Sequence, residues 1–514
     1  MRYPEEPGML LLLALLLLCN NGVGDVEGST IHENSSIVDL HALLDFKQGI
    51  TDDPQGALSS WSNNTHFCRW RGVNCTTTPP RRVSWLVLTG LDLAGQITSS
   101  LGNMTFLRSL DLSSNNLVGP IPILGHLQQL ETLYLYDNHL HGTIPDSITN
   151  CSSLANLDLS INSLVGVIPP KLDFLSHLFY LNLSGNSIAG PIPPELGFLS
   201  NLSVLDLSEN LLVGEIHPKL GLLSDLILLD LSTNLLVDRI PPSLGFLPNL
   251  EYLYLRSNQL EGSIPDELGQ LQVLKELILG SNKLSGKFPH AILNLSASLQ
   301  YLGLEFNMLG KALPPKIGDF LPNLIQLSMS GNMFEGCIPA SLGNATGLEV
   351  IDLSNNSFIG KIPASFGMLS KLVILNLEHN QLEARESTDW EFLDELRNCQ
   401  SLNVLSLSYN QLHGHIPQFV GNLSPSLDTL LLYGNSLSGQ VPQSIGNLSA
   451  LTKLALGKNY LSGKIEGWIG NLKSLQSLNL ESNSFTGPIP SSIGNLTYLT
   501  YLYMRENRFE GLIP

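Results

Sequence analysis

The sequence predicts an α/β solenoid, a curved superhelix of about 18 stacked repeats. The first observation is a series of 17 asparagines that recur at an almost constant interval of about 24 residues. They are Asn115, Asn138, Asn162, Asn186, Asn210, Asn234, Asn258, Asn282, Asn307, Asn332, Asn356, Asn380, Asn410, Asn435, Asn459, Asn483 and Asn507. The second is the leucine pattern around each, for example Leu178-x-x-Leu181-x-Leu183-x-x-Asn186-x-Ile188-x-Gly190-x-Ile192-Pro193. This spacing is typical of leucine-rich repeats.

Each part of the repeat predicts one structural element. The stretch x-x-Leu-x-Leu-x-x has a period of two, so it predicts a short parallel strand with both leucines in the core. The x positions then form the concave face. The asparagine turns the chain, and its amide can satisfy backbone groups that the turn leaves unpaired. Gly-x-Ile-Pro favours a second extended piece, and short helical or 3-10 segments on the convex face complete the repeat.

The amino-terminal residues predict secretion. Met9 to Leu18 is an apolar run of ten residues followed by small residues, which is typical of a signal peptide cleaved near Gly24. Ten residues are too few to span a bilayer, and no later segment is a candidate span. We therefore assign residues 1–24 to a signal peptide, 25–82 to an amino-terminal capping domain and 83–514 to the solenoid.

The capping domain is predicted to be helical and disulfide-bonded. Asp39 is placed to cap a short helix, whose apolar face is Leu40, Leu43, Leu44 and Phe46. In an oxidising compartment, Cys68 and Cys75 are expected to form a disulfide worth roughly 2–3 kcal/mol. Cys151 and Cys399 occupy one equivalent repeat position and are expected to be small buried side chains. Cys337 is expected to be an exposed thiol.

Thirteen Asn-x-Ser/Thr sequons support the secretory assignment. We expect N-glycosylation among Asn34, Asn63, Asn74, Asn103, Asn150, Asn182, Asn201, Asn294, Asn344, Asn355, Asn422, Asn447 and Asn495. The protein is therefore expected in the secretory pathway and outside the cell, or on the extracellular side of the plasma membrane if the chain is part of a longer protein.

Two places depart from the repeat. Between Asn380 and Asn410 the interval is 30 residues, and the additional residues 383–396 include Trp390, Phe392 and Leu393. They predict an additional helical turn packed on the convex side. The last repeat ends at Pro514 without a recognisable carboxyl-terminal cap, so we expect either further chain or a partner at that end.

Composition excludes several classes of function. There are 45 acidic and 26 basic residues, a formal net charge of −19, which argues against nucleic-acid binding. The excess acid either solvates the surface or favours a basic ligand. We find no kinase glycine loop, His-Arg-Asp loop or Asp-Phe-Gly motif, and we expect no catalytic residues, no cofactor and no metal site.

The concave face holds the candidate binding residues. Most strand positions there carry Asp, Ser or Gly, but repeats eight to ten carry residue types enriched at binding hot spots. The predicted ligand-binding residues are Tyr252, Tyr254, Arg256, Ile278, Tyr301, Glu305 and Phe306. Glycans at Asn182 and Asn355 would leave this stretch open between them. Two further groups comprise Glu378, His379, Tyr409 and Tyr433, and Tyr501, Tyr503 and Arg505.

Three segments resemble plant leucine-rich-repeat receptor kinases. They are Leu40-His-Ala-Leu-Leu-Asp-Phe-Lys47, the Trp61-Ser pair and Cys68-x-Trp70-x-Gly72-Val73-x-Cys75. The Leu-x-Gly-x-Ile-Pro repeats are similar to the plant-specific form, and Asp389-Trp390-Glu391-Phe392-Leu393 is similar to an insert in the subfamily that includes pattern-recognition immune receptors.

The resemblance implies an extracellular domain that binds a peptide, a protein or a microbial elicitor on its concave face. It also implies a co-receptor that docks near the carboxyl-terminal repeats. Such receptors continue into a membrane span and a Ser/Thr kinase, which this sequence lacks, so we expect a truncated or incomplete receptor in defence signalling. The alternative is a secreted leucine-rich-repeat inhibitor of a microbial cell-wall hydrolase.

Overall fold

The computed structural model describes residues 33–62 and 64–513, with the side chains of residues 33–35 excepted. The predicted signal peptide and the sequon at Asn63 lie outside the described residues, and at Asn34 only the backbone is described. The remaining chain forms the predicted solenoid, with one strand of the concave face in each of 18 repeats.

The concave face is one continuous sheet, because each Leu-x-Leu stretch pairs with the strands of the preceding and following repeats. For example, Leu229 lies in register with Leu205 on one side and Leu253 on the other. The first strand is antiparallel to the second, and the others are parallel. Its strands are Val73–Cys75, Val83–Val87, Ser109–Asp111, Thr132–Tyr134, Asn156–Asp158, Tyr180–Asn182, Val204–Asp206, Leu228–Asp230, Tyr252–Tyr254, Glu276–Ile278, Tyr301–Gly303, Gln326–Ser328, Val350–Asp352, Ile374–Asn376, Val404–Ser406, Thr429–Leu431, Lys453–Ala455, Ser477–Asn479 and Tyr501–Tyr503.

The second extended piece of each repeat forms two further sheets along the side of the solenoid. The first sheet comprises Ile50–Asp52, Ala94–Gln96, Asn116–Gly119, His139–Thr143, Ser163–Gly166, Ser187–Gly190, Leu211–Glu215 and Leu235–Val237. The second comprises Glu261–Gly262, Lys283–Lys287, Met308–Ala312, Met333–Cys337, Ser357–Gly360, Gln381–Ala384, Gln411–Gly414, Ser436–Gly439, Tyr460–Gly463, Ser484–Gly487 and Arg508–Phe509.

Short helices line the convex side, as the sequence predicted. The α-helices on this side are Ile317–Phe320 and Glu391–Glu395, and the longer α-helix Glu33–Gly49 belongs to the amino-terminal capping domain. The 3-10 helices are Phe67–Arg69, Ser99–Asn103, Asp146–Asn150, Pro170–Phe174, Pro194–Phe198, Pro218–Leu222, Pro242–Phe246, Asp266–Gln270, His290–Asn294, Ala340–Asn344, Ala364–Met368, Ser387–Trp390, Leu396–Asn398, Gln418–Asn422, Gln443–Asn447, Gly467–Asn471 and Ser491–Asn495. The leucines between sheet and helices form one core along the chain.

The recurring asparagines form a ladder inside the turns. The Nδ2 of Asn234 donates to the carbonyl of Leu207 in the preceding repeat at 3.0 Å and to that of Leu231 at 3.2 Å. Its Oδ1 accepts from the backbone N–H of Leu212, also in the preceding repeat, at 3.0 Å. Each such side chain therefore joins two repeats through otherwise unpaired backbone groups.

We expect Asn234→Ala to lower the free energy of unfolding by about 1–3 kcal/mol, because Leu212 N–H and two carbonyls lose their partner inside the turn. Chemical denaturation of the wild-type chain and the variant measures this. Asn249→Ala is the matched control, since Asn249 is exposed and bonds only the Ser224 carbonyl. Equal effects of the two substitutions would contradict the role of the ladder.

The amino-terminal helix corrects one prediction. It begins at Glu33, so Asp39 lies inside the helix and does not cap it. Its carboxylate is buried and accepts from Nε and Nη2 of Arg82 and from the backbone N–H of Val83, each at 2.8 Å. Asp39 therefore ties the helix to the first strand of the solenoid.

The cysteines lie as expected from the sequence. Cys68 and Cys75 form a disulfide beside the buried side chains of Phe67 and Trp70. Cys151 and Cys399 are buried, and burial raises the pKa of each thiol to about 11. Cys337 is exposed.

The additional residues between Asn380 and Asn410 pack on the convex side, as predicted. Trp390, Phe392, Leu393 and Leu396 are all buried in the core. Asp389 fixes the start of this segment, since its Oδ2 accepts from the backbone N–H groups of Arg385 at 2.8 Å and Glu386 at 2.9 Å. Among the described residues, no helix combines the length and apolar character needed to cross a bilayer.

Candidate ligand-binding surface

The central cluster of the concave face is built by strand register. Tyr252, Glu276 and Tyr301 occupy one row of the sheet across three repeats. The rings of Tyr252 and Tyr254 lie 6.4 Å apart, and the Tyr254 hydroxyl donates to Glu276 Oε2 at 2.8 Å. Lys275 Nζ lies 5.7 Å from the Tyr252 ring centroid. The tyrosines are therefore held in fixed positions, each with a partly exposed face.

Arg256 and Glu305 meet across an intervening glycine. They occupy equivalent positions just after the strands of two repeats that lie two apart, and the Arg256 guanidinium lies 3.5 Å from Glu305 Oε1. Gly280 lies between them, and a Cβ there would approach Glu305 Oε1 to 2.4 Å. The absence of a side chain at Gly280 therefore allows the two charged groups to pair over the sheet.

The structure changes the role predicted for Glu305. Glu305 is 3% exposed, so it lies beneath the surface of the predicted site, where Arg256 covers it. Its Oε2 has no hydrogen-bond partner among the described residues. Burial raises the pKa of this carboxyl, and the nearby Arg256 opposes the rise.

The other predicted residues lie on the same face. Phe306 has a positive φ of 54° and is exposed, with its ring over Gly331, where a Cβ would lie 2.6 Å from a ring carbon. Ile278 and Tyr301 are half-buried. Burial raises the pKa of the Tyr301 hydroxyl, with Glu276 and Glu349 contributing. The structure thus brings six of the seven side chains to one accessible surface and leaves Glu305 beneath it.

Four members of the second and third predicted groups, His379, Tyr409, Tyr433 and Arg505, form one connected series. His379 and Tyr409 stack with ring centroids 4.1 Å apart, and Tyr409 lies 5.3 Å from Tyr433. The Tyr433 hydroxyl donates to Glu481 Oε1 at 2.8 Å, and Arg505 Nε donates to Glu481 Oε2 at 2.7 Å. The hydrogen bond from Tyr433 lowers the pKa of Glu481, with Arg505 contributing.

The Tyr433 to Glu481 contact repeats the geometry of the central cluster. The pair again spans two repeats, with Gly457 between them, where a Cβ would lie 2.7 Å from the Tyr433 ring. Our reading of the sequence missed Glu481, because a single glutamate shows no partner until the repeats are aligned. Aligning equivalent positions in alternate repeats provides the missing signal.

A third aromatic cluster was also missed. The rings of Tyr134 and Tyr136 lie 6.3 Å apart, and the Tyr180 hydroxyl donates to Asp158 Oδ2 at 3.2 Å. Burial raises the pKa of Tyr134 to about 12, with Asp158 and Asp111 contributing. Burial also raises the pKa of Asp158 despite hydrogen bonds from Ser160. The predicted site is therefore one of three aromatic regions on this face.

The two glycosylation sites predicted to border the central cluster differ. Asn355 is exposed at the edge of the face. Asn182 is 4% exposed, its Nδ2 donates to the Tyr180 hydroxyl and its Oδ1 accepts from Ser184. The Asn182 amide is therefore buried and hydrogen-bonded in the folded chain, and glycosylation at this sequon stays a prediction. The exposed sequon asparagines are Asn74, Asn103, Asn150, Asn201, Asn294, Asn344, Asn355, Asn422, Asn447 and Asn495.

The described residues contain no group of three or more His, Cys, Asp or Glu side chains suited to a metal ion. The chemistry of the concave face is instead that of aromatic rings and paired charges. Such a surface can bind by stacking, cation–π contact and charge-assisted hydrogen bonds.

Comparisons with known families agree with this architecture. Residues 37–76 match a family described as leucine rich repeat N-terminal domain. Models described as leucine rich repeat match residues 128–188, 425–485 and 449–509, and residues 106–127, 249–271, 273–295, 323–345, 347–369 and 401–423.

Solved structures decide the family. The plant peptide hormone receptor RGFR1 in complex with RGF2 is 30% identical, and the match covers 87% of this chain and 84% of that chain with a TM-score of 0.66. The chain belongs to the plant leucine-rich-repeat receptor ectodomains. The Arabidopsis receptor kinase HAESA, in complex with the peptide hormone IDA and the co-receptor SERK1, is also 30% identical. That match covers 93% of this receptor ectodomain and 91% of that chain, with a TM-score of 0.63.

Curated relatives of the ectodomain are much longer than the aligned region. The LRR receptor-like serine/threonine-protein kinase GSO2 of Arabidopsis thaliana is 38% identical over 149 residues, which are 28% of this chain and 11% of that protein. Phytosulfokine receptor 1 of Arabidopsis thaliana is 39% identical over 111 residues, again 11% of the relative. The match thus spans about a tenth of the length of each relative.

Proposed function

We propose that this chain recognises an extracellular peptide or protein through its concave face, as the ligand-binding part of a plant receptor in defence signalling. The observation that carries the proposal is the central cluster, where Tyr252, Tyr254 and Arg256 are fixed by their neighbours while each keeps exposed surface. Rigid aromatic and arginine side chains of this kind supply most of the free energy at binding hot spots.

The solved relatives support the class of ligand. RGFR1 and HAESA are both described in complex with peptide hormones, and HAESA also with a co-receptor. We propose a co-receptor here as well, near the carboxyl-terminal repeats, where Tyr501, Tyr503 and Arg505 are exposed. A microbial elicitor as the ligand, and thus a role in defence, rests on the similarity of the insert at residues 383–396 to that of immune receptors.

We expect peptides selected from a random library on the wild-type chain to bind the double variant Tyr254→Ala with Arg256→Ala at least about tenfold more weakly. The expectation follows because both hot-spot residues of the central cluster are removed without touching the core. Isothermal titration with the selected peptides measures the change. The matched control is Tyr460→Ala with Lys464→Ala, two exposed residues, of which Tyr460 lies on the second sheet and Lys464 follows its strand.

Peptides that bind both double variants as tightly as the wild-type chain would place the site elsewhere. The alternative function, inhibition of a microbial cell-wall hydrolase, is tested by measuring the activity of a microbial polygalacturonase with and without the purified chain. Inhibition of the hydrolase would favour an inhibitor over a receptor, whereas peptide binding without inhibition supports recognition.

A further inference from the structure

A row of exposed apolar side chains crosses the convex side, opposite the proposed ligand site. In repeats four to seven, the last residue of the convex 3-10 helix is Phe174, Phe198, Leu222 or Phe246, each 55–61% exposed. We call these four residues the convex stripe. At strand spacing the stripe is about 15 Å long. Exposed apolar side chains at the same position of four consecutive repeats make this a candidate interaction surface.

The same helix position carries sugar acceptors in other repeats. Seven of the other 3-10 helices end in a sequon asparagine, namely Asn103, Asn150, Asn294, Asn344, Asn422, Asn447 and Asn495. In the stripe, four consecutive repeats replace the acceptor with an apolar residue. One sequon, Asn201, lies in the loop after Phe198 and borders the stripe. Because these four helices end in an apolar residue and not in a sequon asparagine, no glycan can be attached at their ends.

The 3-10 helices that carry the stripe are closely packed. A Cβ on Gly197 would lie 2.2 Å from the Lys219 carbonyl oxygen, and one on Gly245 would lie 2.2 Å from that of Glu267. These glycines therefore let the helices Pro194–Phe198 and Pro242–Phe246 each lie directly against the next 3-10 helix. The backbone that carries the apolar side chains is therefore closely packed before any partner arrives, which lowers the entropic cost of association.

Charges beside the stripe are arranged in a self-complementary order. The second residue of each helix is Lys171, Glu195, Lys219 and Ser243 in turn. Lys171 and Glu195 form no salt bridge among the described residues, and Lys219 Nζ lies 4.8 Å from the Phe198 ring centroid. If a second copy of this series is laid against the first in the reverse order, a glutamate faces a lysine at both central positions.

We propose that the convex stripe is the interface of a homodimer, formed with a second copy of this chain around a two-fold axis between repeats five and six. That symmetry places Phe198 against Leu222 of the second copy and Phe174 against its Phe246. Glu195 then faces Lys219 of the second copy, and this contact occurs twice. The charge pairs fix the register, and the apolar stripe supplies the buried area. The inference does not depend on the proposed ligand site.

Sedimentation equilibrium of the full, secreted and glycosylated chain tests the dimer. We expect a reversible dimer, with Phe198→Ser raising its Kd at least about tenfold because a central apolar contact is lost twice. Phe320→Ser is the matched control, since Phe320 is also an exposed phenylalanine on the convex side but lies outside the stripe. A wild-type chain that stays monomeric over the whole concentration range, or equal effects of the two substitutions, would overturn the proposal.

Charge exchange tests the two-fold register independently. Glu195→Lys and Lys219→Glu should each weaken the dimer, because each places like charges in contact twice. An equal mixture of the two single variants should form a mixed dimer, because every contact across the axis again joins opposite charges. If the mixture sediments as monomers, the proposed register is wrong, since repulsion within one chain cannot be relieved by mixing.

Discussion

Replacement of Asp39 by alanine is expected to lower the free energy of unfolding of the amino-terminal region by about 3–5 kcal/mol, because it leaves the buried guanidinium of Arg82 without a counter-charge. Arg82 is enclosed on its other side by the Phe106 ring, whose centroid lies 4.7 Å from the guanidinium carbon. Water therefore has little access to replace the carboxylate. Hydrogen exchange of the helix Glu33–Gly49, together with chemical denaturation, measures the loss.

Two further variants show whether charge is the cause. Asp45→Ala removes an exposed carboxylate from the same helix and should change stability by less than about 0.5 kcal/mol. Replacing both members of the buried pair, as Asp39→Leu with Arg82→Met, should recover much of the loss, since neither charge then remains buried. If the double variant is no more stable than Asp39→Ala, packing or the Val83 hydrogen bond dominates instead.

The same residue shows where prediction from the sequence stops. The position of Asp39 before an apolar helical pattern favours a helix cap, but the helix begins six residues earlier. What Asp39 contacts is set by Arg82, 43 residues later in the chain. That contact depends on how the helix docks on the first repeat, which no local pattern records.

The repeats were predictable because their chemistry is local and periodic. Each asparagine in the ladder bonds backbone groups at fixed offsets, so one repeat predicts the next, as Asn234 and Asn210 show. The candidate site was predictable in part. Strand alternation places Tyr254 and Arg256 on the concave face.

The alternation of inward and outward residues along a strand does not predict how deeply a side chain of the concave face is buried or which side chain it contacts. The burial of Glu305 and its contact with Arg256 depend on Gly280, in the repeat between them. Asn182 is buried for a related reason, because Tyr180 and Ser184 bond its amide. Burial and contacts at these positions depend on the neighbouring side chains, which the repeat pattern does not specify.

The largest single packing effect is expected from Trp390→Ala, at about 3–5 kcal/mol, because a fully enclosed indole is replaced by a cavity. Trp390 is 2% exposed, and its ring centroid lies 5.9 Å from that of Phe392. The helix Glu391–Glu395 lies directly on Ala364–Met368, the 3-10 helix of the preceding repeat, since a Cβ on Gly367 would lie 2.6 Å from the Glu395 carbonyl oxygen. The cavity therefore opens at the junction of two repeats.

In a solenoid, damage at one junction weakens the coupling between the repeats on either side. We therefore expect hydrogen exchange to rise in the repeats next to residues 387–398 and to remain unchanged near the amino terminus. Trp85→Ala is the matched control, because Trp85 is 45% exposed on the concave face, and it should cost less than about 0.5 kcal/mol. Equal costs for the two tryptophans would mean that the additional segment is loosely attached. A packing role for residues 383–396 would then be the wrong explanation, and a binding role would become the better one.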